Sequence, residues 1–185
     1  MESSVLNAAR DLKEHMDLKA PAEISLSLDS LCEGNHCSET SKNDKGNGQV
    51  VLMAKDIEDE CLWKTIKTIN IPATAFFTDY SDISIRPDGK VAIVTQEDSA
   101  VWIAKLLGVN DGIINPALVE FDDEVGEVFN FPKSNNCQTV YCNVEGVTFI
   151  NDDKLMVVSD QTKGNGKQPF YCMEKDQSIH EFMLP

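Results

Sequence analysis

Carboxylate side chains stand directly before or after several predicted strands of this sequence, at Glu33, Glu97, Asp98, Glu145 and Asp160. Ca²⁺ takes about six to eight oxygen ligands, which carboxylates from several strands can supply together. A calcium ion held there would polarise a phosphate or lactone and activate water for hydrolysis. These five residues are therefore the candidate metal ligands. The competing interpretation is that they are solvated loop residues, in a chain that contains 31 Asp and Glu.

No nucleophile–base pair is visible along the chain. None of Ser84, Ser99 and Ser159 lies in a G-x-S-x-G context, and no histidine is close to them in sequence. His180 alternates with apolar neighbours near the C-terminus, which is typical of a packed or outward-facing strand residue. We therefore predict no catalytic residues and favour a protein that is not an enzyme.

The six cysteines are Cys32, Cys37, Cys61, Cys137, Cys142 and Cys172. Two C-x4-C pairs, Cys32 with Cys37 and Cys137 with Cys142, predict two local disulfides, and Cys61 and Cys172 are left for a third. Reduced thiols are the first alternative. Zinc is the second, although its usual pairing is C-x2-C and the histidines are scattered.

An internal repeat positions the candidate carboxylates. Residues 81–97 (SDISIRPDGKVAIVTQE) align without a gap with residues 145–161 (EGVTFINDDKLMVVSDQ), and ten of the 17 positions are identical or conservative. Each copy predicts a short strand, a polar turn, and then an apolar strand buried on both faces, at residues 91–94 and 155–158. A third, more divergent unit is indicated upstream, where residues 49–55 resemble residues 99–105.

Units of this kind predict an all-β, β-propeller-like fold. We expect about three blades of antiparallel strands, at residues 23–72, 73–132 and 133–185, because neighbouring blades bury each other's faces. A closed propeller takes at least about four blades, so the expectation is a partial propeller. Residues 1–22 form either a short helix or a tail. The acidic stretch 120–127 (EFDDEVGE) is interpreted as a solvated connection between strands.

Composition excludes several classes of protein. The chain has 185 residues, 42% of them hydrophobic, which is enough for a globular core. Its net charge of −15 argues against nucleic-acid binding, which requires a basic surface. No apolar run reaches the length of about 18 residues that a membrane helix needs. The first residues, MESSVLNAARDLKEHM, lack the apolar core expected of a signal peptide, while the cysteine pattern is compatible with a secreted protein, so the compartment is left open.

Five segments of the chain resemble an uncharacterised family of plant and algal-type, six-bladed propeller-like proteins. They are LCEGNHCSE (31–39), GNGQVVLM (46–53), DYSDISIRPDGKVAIVTQEDSAVWIAKL (79–106), NNCQTVYCNVEGVTFINDDKLMVVSDQ (135–161) and KDQSIHEFMLP (175–185). The resemblance implies that this chain is the C-terminal part of such a propeller. The segments are more distantly similar to SdiA-regulated, phytase-like and sugar-lactonase propellers, which often hold calcium.

Three functions follow as hypotheses. The first is a non-catalytic propeller module that binds a protein or a small molecule. The second is a calcium-dependent hydrolase of the lactonase or phytase type, and the third is a truncated product without function. The incomplete blade count also predicts that the open edges are covered by missing blades or by a homo-oligomer.

Overall fold

The computed structural model of the chain describes residues 24–29, 48–56, 58–59, 61–161, 172 and 175–184. Strands dominate these residues, and all strand pairs are antiparallel. The predicted all-β class is therefore confirmed. The predicted N-terminal helix or tail at residues 1–22 lies outside the described residues.

Three larger sheets follow one another along the chain. The first sheet consists of β1 (Ile24–Asp29), β2 (Gln49–Lys55) and β3 (Trp63–Asn70). The middle sheet has the order β4 (Asp82–Ile85), β5 (Lys90–Thr95), β6 (Ala100–Leu107) and β9 (Glu120–Asn130), with β7 (Val109–Asn110) and β8 (Ile113–Ile114) pairing separately. The last sheet consists of β10 (Val144–Phe149), β11 (Lys154–Ser159) and β12 (Ser178–Met183). Each larger sheet lies within one of the three predicted unit ranges.

Strand β5 contributes to two separate cores. Val91 and Ile93 point into a core shared with the first sheet, whereas Ala92 and Val94 point into a core shared with the last sheet. All four side chains are fully buried. This explains the uninterrupted apolar run, because successive residues of a strand point to opposite faces and both faces of the middle sheet are covered.

Strand β11 differs, because the described residues cover only one face of the last sheet. Leu155 and Val157 are fully buried against the middle sheet, but Val158 is 44% exposed. The prediction that residues 155–158 are buried on both faces is therefore wrong for Val158. The apolar run in β11 matches that of β5 although the two strands have different surroundings.

The β4–β5 and β10–β11 hairpins have the same register. Ile83 pairs with Ile93 in the first hairpin, and Val147 pairs with Val157 in the second. The turn of the first hairpin requires glycine, because Gly89 has a φ of 85° and an added Cβ would lie 2.5 Å from the Leu106 carbonyl oxygen. The second hairpin makes its turn with Asn151, Asp152 and Asp153.

The proposed match between residues 49–55 and 99–105 does not relate equivalent strands. Residues 49–55 form β2, the central strand of the first sheet, whereas residues 100–107 form β6, the third strand of the middle sheet. Both segments are apolar because both pack in the core between these two sheets.

The acidic stretch 120–127 lies within a strand, which corrects its interpretation as a connection. It belongs to β9, the edge strand beside β6. The pairing changes between Gly126, opposite Ala104, and Phe121, opposite Leu106, so that residues 122–125 bulge outward. Carboxylates are tolerated in this edge strand because their side chains reach solvent at the bulge.

Candidate functional site

The predicted ligands Glu97 and Asp98 lie in the turn between β5 and β6. The Asp98 carboxylate accepts hydrogen bonds from the Thr78 backbone N–H at 2.6 Å and from its hydroxyl at 3.2 Å. The backbone N–H of Glu97 donates to Asp79 at 3.1 Å. These bonds attach the segment that precedes β4 to the turn, so Asp98 has a structural role there.

Asn143 connects this turn to the end of β11, where the predicted ligand Asp160 lies. The Gln96 side-chain amide donates to Asn143 Oδ1 at 2.7 Å, and the Asp160 backbone N–H donates to the Asn143 carbonyl at 2.9 Å. The structure thus brings Asp160 and the Glu97 turn to one buried asparagine. Glu145 is exposed on β10, near but not part of this set of bonds.

In the part of the chain that the structure describes, no three His, Cys, Asp or Glu side chains are grouped closely enough to hold a metal ion. The fifth predicted calcium ligand, Glu33, lies outside the described residues. The described carboxylates Glu97, Asp98, Glu145 and Asp160 are therefore not grouped as calcium ligands.

The structure contains a disulfide between Cys142 and Cys172, whose Cα atoms are 5.4 Å apart. Both predicted pairings that involve these two residues are therefore wrong, because Cys137 and Cys61 are exposed free thiols. Cys142 precedes β10 and Cys172 precedes β12. Because β10 and β12 both pair antiparallel with β11, they begin at the same end of the sheet, and this brings Cys172 close to Cys142 although 30 positions separate them in sequence. Cys32 and Cys37 lie outside the described residues.

A polar seam joins the first strands of the middle and last sheets. Asp82 on β4 accepts a hydrogen bond from the Val147 backbone N–H on β10 at 2.8 Å, and Arg86 forms a salt bridge with Asp152 at 2.5 Å. The Arg86 guanidinium also lies over the Phe149 ring, 5.7 Å from its centroid. These contacts fix the relative position of the two sheets.

Ser178 and His180 form a close pair that sequence reasoning missed, with 2.5 Å between Ser178 Oγ and His180 Nε2. The Ser178 hydroxyl donates its hydrogen to the Lys175 carbonyl, so His180 Nε2 must be the donor in the pair. Burial, followed by the nearby charge of Lys175, lowers the pKa of His180. In this arrangement the histidine does not accept the serine proton, and the pair stabilises the turn before β12.

An open groove with a volume of about 510 Å³ lies between β3 and the bulge of β9. Four carboxylates and one lysine line it together with polar and apolar residues: Lys67, Thr68, Ile69, Asn70, Leu107, Glu120, Phe121, Asp122, Asp123 and Glu124. Lys67 Nζ donates to the Val119 carbonyl at 2.6 Å, which joins the two walls. The Asp122 carboxylate accepts a hydrogen bond from the Glu124 backbone N–H at 3.1 Å, within the bulge of β9.

The groove was not predicted, because its walls come from two sheets and from residues about 50 positions apart in sequence. The acidic stretch 120–127 was the available signal, and its composition is interpreted as a solvated connection between strands. The groove carries a net negative charge, because its lining residues include four carboxylates and one cation, Lys67. Its chemistry suits a cationic group.

Comparison of the chain with family models, curated proteins and solved structures returned no match. In the described segments, no helix is both long enough and apolar enough to span a membrane.

Proposed function

We propose that the protein is a non-catalytic, β-propeller-type binding module, and that the groove between β3 and β9 binds a cationic ligand such as a Lys- or Arg-containing peptide. The observation that carries the proposal is the groove itself, with four carboxylates around one open concave surface.

The stacking of the sheets supports a propeller arrangement. The first strands of consecutive sheets lie beside one another, β1 against β4 and β4 against β10. In a propeller the first strand of each blade lines the central channel, and adjacent blades pack face to face. The two separate cores on either face of the middle sheet match such packing. Three sheets of this kind would form part of a ring.

The size and charge of the groove support binding. Ligand sites commonly have volumes of about 300–1,000 Å³, which includes that of this groove. Carboxylates attract Lys and Arg side chains, and Arg can bind one carboxylate through two hydrogen bonds. The neighbouring Phe121 and Ile69 supply apolar surface for the methylene groups of such side chains.

Fluorescence anisotropy with two labelled peptides tests the proposal, one rich in Lys and Arg and the other rich in Glu. We expect the cationic peptide alone to bind, with an affinity that falls as salt is added. Asp122→Asn/Asp123→Asn should weaken binding at least about fivefold, which corresponds to about 1 kcal/mol.

The matched control is Asp88→Asn/Asp111→Asn, which removes the same charge from exposed turns outside the groove. It should leave the affinity within about twofold of the wild type, less than about 0.5 kcal/mol. Equal weakening by both double variants would mean that the peptide responds only to the total charge of −15. That result, or no binding of the cationic peptide, would refute the proposed site.

A further inference from the structure

The last sheet has an outer face that is mainly apolar and exposed. Residues that alternate along β11 and β12 form it, namely Lys154, Met156, Val158, Ile179, Glu181 and Met183. The exposed fractions are 44% for Val158, 68% for Ile179 and 63% for Met183. Val158 and Ile179 are direct cross-strand partners, so the apolar residues are contiguous. Such a contiguous patch is typical of an interaction surface.

The equivalent face of the middle sheet is fully covered. Ala92 and Val94 occupy the same positions in the β4–β5 hairpin that Met156 and Val158 occupy in the β10–β11 hairpin. Both Ala92 and Val94 are fully buried, in the core that the last sheet shares with the middle sheet. The face formed by Met156 and Val158 is therefore of a type that packs on another sheet within this same molecule.

We infer that a second copy of this chain covers the outer face of the last sheet, in a two-fold symmetric dimer. A two-fold interface requires a surface that is complementary to itself. The outer face meets this requirement because it carries one cation, Lys154, and one anion, Glu181, beside its apolar residues. Within the chain Lys154 Nζ lies 2.5 Å from Glu181 Oε1. Across the two-fold axis, Lys154 of one copy faces Glu181 of the other.

Charge distribution favours this face over the rest of the surface. The chain carries a net charge of −15, so two copies repel each other over most orientations. On β11 and β12 the outer face carries one cation and one anion, Lys154 and Glu181, which balance each other. Two copies can approach through this part of the surface at a lower electrostatic cost than through the acidic surface elsewhere.

Head-to-tail stacking, in which the first sheet of one copy would cover the last sheet of another, would need two different open faces that fit each other. A two-fold symmetric contact needs only one open face, because both copies use the same face. The inference is independent of what the groove binds.

The size of the face predicts a weak dimer. Three strands of six residues measure about 20 Å by about 14 Å, given a rise of about 3.3 Å per residue and a strand spacing of about 4.8 Å. A standard interface buries about 800 Å² on each partner, which is more than this face provides. We therefore expect a Kd in the micromolar range.

Sedimentation velocity of the full chain, from about 1 µM to about 200 µM, brackets a micromolar Kd and measures the dimer directly. Wild-type protein should shift from monomer to dimer over this range, and Val158→Asp/Ile179→Asp should remain monomeric. Leu118→Asp is the matched control, because Leu118 is 62% exposed and lies outside this face. It should dimerise like the wild type, and circular dichroism should report folded protein for every variant.

Charge reversal distinguishes a two-fold dimer from any other partner. Lys154→Glu and Glu181→Lys should each weaken self-association at least tenfold, because like charges then face each other at both symmetry-related contacts. An equimolar mixture of the two variants should form a heterodimer, since both contacts again pair opposite charges. A monomeric wild type, a dimer that survives Val158→Asp/Ile179→Asp, or a mixture that stays monomeric would each overturn the inference.

Discussion

The Asp82 carboxylate on β4 accepts a hydrogen bond from the Val147 backbone N–H on β10, at 2.8 Å. The first strands of two consecutive sheets are thereby joined by a charged acceptor and a backbone amide. Hydrogen bonds to charged groups are stronger than those between neutral groups. The contact makes the relative position of the middle and last sheets specific.

Removing the acceptor should destabilise the protein. Asp82→Ala leaves the Val147 N–H without its partner, and we expect the free energy of unfolding to fall by about 1–3 kcal/mol. Asp82→Asn keeps a neutral acceptor and should cost less. Urea unfolding measures both, and Asp153→Ala, at an exposed turn position, should change stability by less than about 0.5 kcal/mol. Equal losses from Asp82→Ala and Asp153→Ala would contradict the role of Asp82.

Gly126 on β9 is required because Trp102 lies directly against it. A Cβ at this position would lie 2.7 Å from Trp102 Nε1, and Trp102 is fully buried in contact with Phe121. Gly126→Ala should therefore destabilise the fold by about 1–3 kcal/mol, measured by tryptophan fluorescence during urea unfolding.

Gly146→Ala is the control for Gly126→Ala, since its added Cβ would meet Val158 at an ordinary 3.5 Å. We expect less than about 0.5 kcal/mol for this change. A tolerated Gly126→Ala variant would show that Trp102 can move without loss of packing.

The Cys142–Cys172 disulfide should stabilise the last sheet. It closes a loop of 30 residues, and loop-closure entropy gives about 3–4 kcal/mol for such a loop. Cys142→Ser/Cys172→Ser should lower the urea midpoint accordingly, whereas Cys61→Ser/Cys137→Ser, at the two exposed free thiols, should not. Peptide mapping that found Cys137 joined to Cys142 in the folded protein would contradict the pairing.

Stability should depend on pH through His180. Burial, and then Lys175, lowers the pKa of His180 below its ordinary value of 6.5, so the folded state favours the neutral ring. The unfolded chain binds the proton more readily, and the stability contribution present above pH 6.5 is lost as the pH falls through the folded pKa. NMR titration should give a pKa below 6.5, and His180→Gln should reduce the loss of stability between about pH 7 and about pH 5. An unshifted His180 pKa would contradict the described packing.

The strands were predictable from sequence where local chemistry decides the structure. The apolar run at residues 91–94 indicated burial on both faces, and the Pro87-Asp88-Gly89 turn indicated the hairpin. The same run in β11 was misleading because exposure of Val158 depends on whether another sheet follows. Sequence spacing likewise favoured Cys137 as the partner of Cys142, whereas strand pairing brings Cys172 there.

The groove could not be predicted because it depends on packing between sheets. Lys67 reaches Val119 only when β3 lies beside the start of β9. The bulge at residues 122–125 depends on how β9 pairs with β6, which the acidic composition of the stretch does not reveal.

Hydrogen–deuterium exchange with a Lys- and Arg-rich peptide tests the central claim most directly. Bound peptide should slow exchange in residues 67–70 and 120–124, which line the groove, and leave residues 144–149 and 154–159 unchanged. Slower exchange that is confined to other acidic segments, or no change at saturating peptide, would contradict the assignment of the groove as the binding site.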